Sequence, residues 1–359
     1  MKIKRIFILT LFFLLIYHSS HALQITGGKI VDVIVADGGH TDSTFVTLLF
    51  NGWEAGGPGC FDIGKEGGIY VLDWVGQKVL RFGGNGKWIS SFPATKKSRS
   101  LGDGIAVDNW GNIYLNESGK LVKYSTDGEL FYRRLIEDDI KTKHLNPDKF
   151  ILTDKNGRVY NFRGRFLDGI MIFSPKGRLK GTIYPKKEDT LNKYYDIGIV
   201  QKDVGNDIYF RTNKYLVRTS LEEYFGTGKI DTVSVLPDLL RLGEYIENPP
   251  RQKITIEGQP WILMGFDRNR NFYFYKQEYL DDDTSSSCAK CNVLKYKLEN
   301  GNLTQTGNAA VYFQKSKGEC SKTAFLFFDR QFLVSGDGTI YWLHGTVDTV
   351  KVSKIIFDK

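Results

Sequence analysis

The chain alternates short apolar segments with polar turns, and one pattern recurs six times. Each copy contains an apolar residue followed by a tyrosine, and the pairs are Ile69-Tyr70, Ile113-Tyr114, Val159-Tyr160, Ile208-Tyr209, Phe272-Tyr273 and Ile340-Tyr341. Three positions before the tyrosine, four copies carry glycine, and six positions before it, four copies carry aspartate. Glycine supplies the positive φ of a tight hairpin, and aspartate hydrogen-bonds its own turn backbone. The pattern therefore predicts strand, turn and strand in every copy.

A second apolar stretch follows each tyrosine after a short loop, as in VLRF at 79–82 and LVKY at 121–124. Several copies then contain another turn, such as Asp127-Gly128, and a further strand. Four short antiparallel strands per copy are typical of a propeller blade. The tyrosines are 44, 46, 49, 64 and 68 residues apart. A blade repeats every 40 to 50 residues or so, and we therefore place insertions near 237–260 and 279–292.

The two ends of the repeat array predict how the ring closes. The sixth copy stops one strand short of a full blade, while the apolar segment KIVDVIVAD at 29–37 precedes the first full copy. An N-terminal strand that completes the last blade would pair both loose edges. We therefore predict an all-β, six-bladed propeller with four-stranded antiparallel blades, closed by an N-terminal strand.

Residues 1–22 have the order of a secretory signal peptide. Lys2, Lys4 and Arg5 precede an apolar run of about twelve residues, which is too short to span a bilayer, and small residues follow up to Ala22. We expect residues 23–359 to form a single propeller domain that is secreted or periplasmic, with no transmembrane segment. Cleavage would lower the net charge from +8 to about +5. Positive charge this dilute argues against nucleic acid as a partner.

Two phrases carry a resemblance to a known family. GIAVDNWGNIYLNESGKLVKYSTDGEL at 104–130 and GGIYVLDWVGQKVLRFGGNGKWISSF at 67–92 resemble NHL repeats, within the wider set of six-bladed, TolB-like propellers. The resemblance spans most of residues 57–357 and implies the propeller fold. NHL proteins include protein-binding and RNA-binding modules, and related six-bladed propellers include lyases and metal-dependent hydrolases, so the resemblance implies no single activity.

One position in each copy is a candidate for ligand binding. Three residues after each tyrosine, where the second strand runs into a loop, stand Asp73, Glu117, Arg163, Thr212, Lys276 and His344. Because the position recurs, the ring should gather these side chains as a polar collar around one end of the propeller. Polar loop ends are also expected in any propeller, so the collar alone does not establish a ligand site.

The remaining candidate chemistry is sparse, and we predict no metal and no cofactor. Asp267, Asn269 and Asn271 alternate like calcium ligands, but Asp267 is also the recurring turn aspartate, which favours a hairpin role. The three histidines after residue 22 fall at different points of their repeats, which argues against a histidine metal cluster. Cys60, Cys288, Cys291 and Cys320 are disulfide candidates that would staple the fifth-copy insertion in an exported protein. Their pairing stays open.

These observations favour a binding or scaffold module over an enzyme. We expect the chain to bind a protein, peptide or glycan through loops on one face. Trp53, Trp74, Trp110 and Trp261 fall in turns or loops, where they would either stack on a ligand or pack locally. The alternative is a propeller lyase or a lactonase-like, metal-dependent hydrolase with its site in the central channel.

Overall fold

The computed structural model describes residues 24–26, 28–39, 41–46, 48–50, 54–94, 104–117, 120–135, 150–163, 169–183, 196–200, 207–211, 214–240, 261–279, 289–313, 332–345 and 349–357. These segments are almost entirely β-strand. No helix within them is long and apolar enough to cross a membrane.

Four strands precede blade 1 in the chain: β1 (Gln24–Thr26), β2 (Gly28–Asp37), β3 (Leu48–Phe50) and β4 (Glu54–Gly56). Blade 1 contains β5 (Cys60–Ile63), β6 (Ile69–Asp73), β7 (Lys78–Phe82) and β8 (Trp88–Pro93). Blade 2 contains β9 (Ile105–Val107), β10 (Ile113–Glu117), β11 (Lys120–Tyr124) and β12 (Leu130–Leu135). Blade 3 contains β13 (Phe150–Thr153), β14 (Val159–Arg163), β15 (Gly169–Phe173) and β16 (Leu179–Ile183).

Blade 4 contains β17 (Asp196–Val200), β18 (Asp207–Arg211), β19 (Tyr215–Ser220) and β20 (Asp231–Val235), with the helix α1 (Leu221–Thr227) before its last strand and a 3-10 turn (Asp238–Leu240) after it. Blade 5 contains β21 (Ile262–Phe266), β22 (Asn271–Tyr279), β23 (Ala289–Glu299) and β24 (Asn302–Phe313). Blade 6 contains β25 (Phe332–Val334), β26 (Ile340–Gly345) and β27 (Thr349–Phe357).

The six antiparallel sheets confirm the predicted six-bladed propeller, and the N-terminal strand closes the ring as predicted. β2 pairs with β27 from Gly28 opposite Phe357 to Asp37 opposite Thr349, so it forms the outermost strand of blade 6. The first strand of each blade lies innermost, because these strands contact one another from blade to blade. The apolar core fills the seams between neighbouring blades.

The recurring aspartate and tyrosine form one hydrogen-bonded turn. Asp108 Oδ1 accepts hydrogen bonds from the backbone N–H groups of Trp110 and Asn112, both at 2.9 Å, and Tyr114 donates its hydroxyl to Asp108 Oδ2 at 3.0 Å. The Asp154–Tyr160 and Asp267–Tyr273 turns repeat this arrangement. The aspartate is therefore a hairpin device in these three blades, because its oxygens bind the turn and the strand that follows.

In five of the six blades, a basic residue of the third strand lies opposite the repeat tyrosine. The cross-strand pairs are Tyr70–Arg81, Tyr114–Lys123, Tyr209–Arg218, Tyr273–Lys295 and Tyr341–Lys354. In blade 2, Lys123 Nζ lies 5.1 Å from the centre of the Tyr114 ring. Such a cation over an aromatic face contributes about 0.5–1 kcal/mol at an exposed site. The same contact recurs in blades 1, 5 and 6, where Arg81, Lys295 and Lys354 lie 5.8, 6.0 and 5.2 Å from the tyrosine ring centres.

Glycines in the turn between the third and fourth strands let each blade approach the one before it. A Cβ added to Gly86 would lie 1.6 Å from the backbone oxygen of Val33, in the outer strand of blade 6. Gly128 approaches Phe92 of blade 1, and Gly177 approaches Tyr132 of blade 2, in the same way. All three glycines have positive φ. The turn needs glycine for its backbone angle and for the close contact.

Blade 5 departs most from the repeat. Its second, third and fourth strands contain 9, 11 and 12 residues, whereas the corresponding strands of blade 2 contain 5, 5 and 6. β1 adds a fifth strand by pairing with β24, where Ile25 lies opposite Val311. The predicted insertion near 279–292 thus includes strand residues on both sides of residues 280–288, which lie outside the described part. Of the insertion near 237–260, only 237–240 are described.

Candidate functional site

The collar positions occupy one face of the ring. In each blade the second strand begins on the face where the aspartate turns lie, which we call the turn face. It ends at the opposite face, which we call the collar face. Asp73, Glu117 and Arg163 are the last residues of β6, β10 and β14, Lys276 lies within β22, and His344 lies near the end of β26. Thr212 lies outside the described residues. A shared face does not by itself bring the side chains together.

Three collar side chains turn towards the seam with the preceding blade. Strand residues alternate between the two sides of a sheet, so the collar residue lies opposite the side that carries the repeat tyrosine. Glu117 lies two residues after Leu115, which packs against blade 1, and His344 lies two residues after Trp342, which packs against blade 5. Residues two apart in a strand point to the same side of the sheet. Asp73 bonds to the backbone of Val46, beside the apolar cluster shared by blades 1 and 6. These seams bury parts of the collar that a ligand mouth would expose.

Asp73 organises two backbone segments. Its Oδ2 accepts a hydrogen bond from the Val46 N–H at 2.8 Å, and its Oδ1 accepts one from the Gly76 N–H at 2.8 Å. The side chain is completely buried. Burial raises the pKa of Asp73 and outweighs the opposing effect of the two backbone hydrogen bonds. In this arrangement, the carboxylate fixes the segment that enters blade 1 to the end of β6.

Glu117 is the centre of a buried polar cluster in blade 2. Tyr124 places its hydroxyl 2.8 Å from Glu117 Oε1, and Arg133 Nη2 donates to Glu117 Oε2 at 2.9 Å. The Tyr124 hydroxyl also contacts the backbone oxygen of Ala94 in blade 1. Burial raises the pKa of Glu117 and outweighs the hydrogen bond from Tyr124 and the charge of Arg133.

The Tyr124 hydroxyl lies close to two oxygen atoms but has one proton to donate. A tyrosine hydroxyl carries one proton, yet Tyr124 has both the Ala94 oxygen and Glu117 Oε1 within hydrogen-bond distance. If Glu117 is protonated, its carboxyl group donates to Tyr124, and Tyr124 donates to Ala94. Both contacts are then satisfied hydrogen bonds. Through Tyr124, Glu117 joins blade 2 to the end of blade 1.

His344 belongs to a polar chain across the closing blade. Its ring stacks on Trp342, with centroids 3.8 Å apart, and its Nε2 lies 2.7 Å from Ser353 Oγ. Ser353 donates its proton to Asp32 Oδ1 at 2.5 Å, so His344 Nε2 must be the donor to Ser353. Burial lowers the pKa of His344 to about 3.

Asp32 carries the chain of bonds from His344 into the N-terminal strand. Lys351 Nζ donates to Asp32 Oδ2 at 2.8 Å, while Ser353 bonds the other oxygen. Burial opposes the ionisation of Asp32, but the bonds from Lys351 and Ser353 prevail and lower the pKa of its carboxyl group. The residues run in the order His, Ser and Asp, with serine in the middle. A catalytic triad places histidine between serine and aspartate, so this chain is a structural link in the described geometry.

The collar partners were missed at the level of sequence. Tyr124 closes the apolar stretch at 121–124, and no signal distinguishes Arg133, Ser353 or Asp32 from other strand residues. Strand pairing is the available signal and it covers one pair: Asp32 stands opposite Ser353, whereas Tyr124 and Arg133 stand opposite Ile113 and Val122. Recognising that signal needs the strand register, because Asp32 is distant from Ser353 in the chain.

Two of the four candidate disulfide cysteines lie within the described residues. Cys60 and Cys291 are buried in blades 1 and 5 and are not bonded to each other, while Cys288 and Cys320 lie outside the described residues. The disulfide staple therefore stays a prediction. Within the described segments, no three His, Cys, Asp or Glu side chains group as a metal site.

The tryptophans differ sharply in exposure. Trp261 is buried, Trp74 is half-buried against Gly59, and Trp53 lies outside the described residues. Trp110, in the turn between β9 and β10, exposes 64% of its surface. Of these four residues, Trp110 is the one with a large described surface open to a ligand.

Comparison with known proteins gives architectural similarities. No family model matches the chain, and no curated protein matches its sequence. A putative exported protein from Bacteroides fragilis is similar over 92% of this chain and 97% of its own, with 11% identity and a TM-score of 0.47. Virginiamycin B lyase from Staphylococcus aureus is similar over 94% of this chain and 100% of its own, with 13% identity and a TM-score of 0.45.

A third similar structure is the extracellular domain of a putative hybrid two component system from B. thetaiotaomicron. It is similar over 92% of this chain but 39% of its own length, with 11% identity and a TM-score of 0.43. The six-bladed architecture of the present chain rests on its own strand pairings.

Proposed function

We propose that the chain is an exported, NHL-like propeller that binds a protein, peptide or glycan through the collar face. One observation carries this proposal: on that face the strands of blade 5 extend beyond the collar position. β22 continues for three residues past Lys276 to Tyr279, and β23 begins opposite it at Ala289. At about 3.3 Å per residue, the hairpin rises roughly 10 Å above the level at which β10 ends.

β1 supports this extension as an additional strand. β1 pairs with Ala310, Val311 and Tyr312 of β24, and the same part of β24 pairs with the beginning of β23. The raised part of blade 5 is therefore a sheet of β22, β23, β24 and β1. A four-stranded platform holds its shape better than an isolated hairpin, which is marginally stable in water. A rigid projection beside the collar would give a ligand a wall to bind against.

The repeat itself supports the choice of face. Recurrent residues have structural roles: the aspartates bind their turns, the basic residues lie over tyrosines, and the glycines allow blades to approach. The blade 5 extension breaks the repeat without replacing any of these roles. Loops and their supports are where a repeated scaffold usually carries binding residues.

Export is part of the same proposal. The basic and apolar order of residues 1–22 supports a signal peptide that is removed after Ala22. The NHL assignment is supported by the phrases at 67–92 and 104–130. N-terminal sequencing of the exported protein should begin at Leu23. A chain that retains Met1 after export would contradict the cleavage.

Charge reversal on the two faces tests the binding proposal. Wild-type protein and the variant Lys276→Glu would be immobilised and exposed to the extracellular or periplasmic fraction of the producing organism. The matched control is Lys65→Glu, an exposed lysine in the first turn of blade 1 on the turn face. We expect Lys276→Glu to reduce capture of a saturable ligand and Lys65→Glu to leave it unchanged. Equal capture by both variants would contradict the collar face, and stoichiometric metal in the purified protein would favour the hydrolase alternative.

A further inference from the structure

Trp110 interrupts the repeat on the turn face. It occupies the second position after the turn aspartate, where the other copies carry Glu66, Asn156, Gly205, Asn269 and Asp337. The other five residues are polar or glycine, as expected for an exposed hairpin turn. The indole ring takes no part in the hydrogen bonds of the turn, because Asp108 contacts Trp110 through its backbone N–H and not through its side chain. The side chain therefore needs a different explanation.

The neighbouring blade holds the indole in place. A Cβ added to Gly157, in the corresponding turn of blade 3, would lie 2.8 Å from Trp110 Cζ3, so the ring rests directly on that glycine. Asn109 Nδ2 also donates to the backbone oxygen of Lys155 at 3.3 Å. The two turns are thus joined by the ring contact and by this hydrogen bond. Trp110 nevertheless keeps 64% of its surface exposed, so it is both positioned and accessible.

The surroundings of the ring are polar. Lys155 and Asn156 are exposed in the blade 3 turn, and Lys176 is exposed in the second turn of that blade. The Asn109 Oδ1 accepts no hydrogen bond from the described residues, although its amide nitrogen is engaged. Other exposed large apolar residues, such as Trp88 and Phe131, belong to outermost strands. A single aromatic ring with amide and ammonium neighbours differs from the broad apolar centre of a protein interface.

We propose that Trp110 and its neighbours form a carbohydrate-binding platform on the turn face, for a pyranose unit of an oligosaccharide. The C–H bonds on one side of a sugar ring carry partial positive charge and are attracted to the negative face of an indole. The sugar hydroxyl groups on its edge would exchange hydrogen bonds with the exposed Asn156 and Lys155, because an amide supplies both donors and an acceptor and an ammonium group supplies donors. The site is separate from the collar face and does not depend on it.

The test follows the indole N–H signals during sugar titration. Mature wild-type protein labelled with ¹⁵N at tryptophan would be titrated with cello-, malto-, chito- and xylo-oligosaccharides and with a proline-rich peptide. Trp110→Phe assigns the Trp110 signal. We expect at least one oligosaccharide to shift that signal saturably, and Trp110→Ala to weaken binding about tenfold or more. The matched control Trp88→Ala removes an exposed tryptophan from the outer strand of blade 1 and should bind normally.

Three results would overturn the proposal. These are no response of the Trp110 signal to any sugar of the panel at millimolar concentration, a shift caused by the peptide alone, and equal weakening of binding by Trp110→Ala and Trp88→Ala. Thermal unfolding of each variant excludes a folding defect, since both side chains are largely exposed. A negative result here leaves the collar-face proposal intact, because capture through Lys276 is measured independently.

Discussion

Ser353 donates a hydrogen bond to Asp32 at 2.5 Å, joining residues that are 321 positions apart in the chain. Ser353 lies in β27 and Asp32 in β2, so the bond ties the N-terminal strand to the last blade. The ring closure thus combines backbone pairing with a side-chain network. Loss of that network should loosen the whole ring, since the first and last blades meet at this seam.

The first prediction concerns this bond. Ser353→Ala should lower the free energy of unfolding by about 1–3 kcal/mol, because it removes one of the two side-chain donors to Asp32 and the hydrogen-bond partner of the His344 Nε2. Urea denaturation followed by circular dichroism measures the change. Ser43→Ala, in the exposed loop after β2, is the control and should be neutral. If the two variants were equally stable, the Ser353–Asp32 bond would not contribute to closure.

The second prediction concerns the pH dependence that His344 introduces. Its pKa falls from 6.5 to about 3 on burial, so the unfolded chain binds a proton more readily than the folded one. Stability is then fully present above pH 6.5 and falls as the pH decreases towards about 3. The slope from one such group reaches about 1.4 kcal/mol per pH unit. His344→Gln should make the urea denaturation midpoint less dependent on pH over this range. An unchanged pH dependence of the midpoint would contradict this prediction.

The third prediction concerns Glu117, whose raised pKa acts in the opposite direction. Because the folded pKa is raised, the folded state binds this proton more tightly than the unfolded chain, and the resulting stabilisation is present at low pH and lost as the pH rises through the folded pKa. Glu117→Gln should retain the contacts to Tyr124 and Arg133 without this loss. Glu117→Ala should cost about 1–3 kcal/mol because it removes the buried partner of the Tyr124 hydroxyl and leaves a cavity. The exposed Glu129→Gln is the control, and destabilisation by Glu117→Gln equal to that of Glu117→Ala would contradict this prediction.

The fourth prediction compares two repeat tyrosines. Tyr114→Phe removes the hydroxyl bond to Asp108 and should cost about 1 kcal/mol or more, because it leaves a buried carboxylate with one donor fewer. Tyr341→Phe is the matched control, since Ser335 stands where blade 2 has aspartate. Thermal unfolding of both variants should rank Tyr114→Phe as less stable. The reverse order would mean that the Asp–Tyr bond is not what keeps tyrosine at this position.

The fifth prediction uses two glycines. Gly86→Ala should destabilise the protein by more than about 1 kcal/mol, because φ is +80° and the new methyl would meet the Val33 backbone oxygen. Gly226→Ala, within α1, meets nothing within 4 Å and should be neutral or stabilising by up to about 1 kcal/mol. Comparing their denaturation midpoints checks the packing between blades 6 and 1. A Gly86→Ala protein as stable as Gly226→Ala would contradict that packing.

The fold was accessible from sequence because its determinants are local and repeated. The tyrosines, turn aspartates and glycines mark each hairpin, and the unpaired β-branched segment before the first blade indicated the closing strand. β1 was not predicted, since three residues are too few to carry a pattern. The register of blade 5 was also hidden, because the sequence shows an insertion but not how far the strands continue into it.

The candidate site was less accessible, for a physical reason. The sequence places Asp73, Glu117 and His344 on one face, but the direction of each side chain depends on strand alternation and on the neighbouring blade. Their partners Val46, Tyr124 and Ser353 come from other strands or blades. Equally, the exposure of Trp110 depends on the close approach of Gly157, which no property of the turn sequence indicates.

Hydrogen exchange on a purified complex tests the central claim most directly, namely that the collar face is the binding face. Mass spectrometry would compare backbone amide protection with and without the captured ligand. The account predicts added protection at the ends of β6, β10 and β22 and at the beginning of β23. Protection confined to the aspartate turns or to the outer strands β8, β12 and β16 would contradict it.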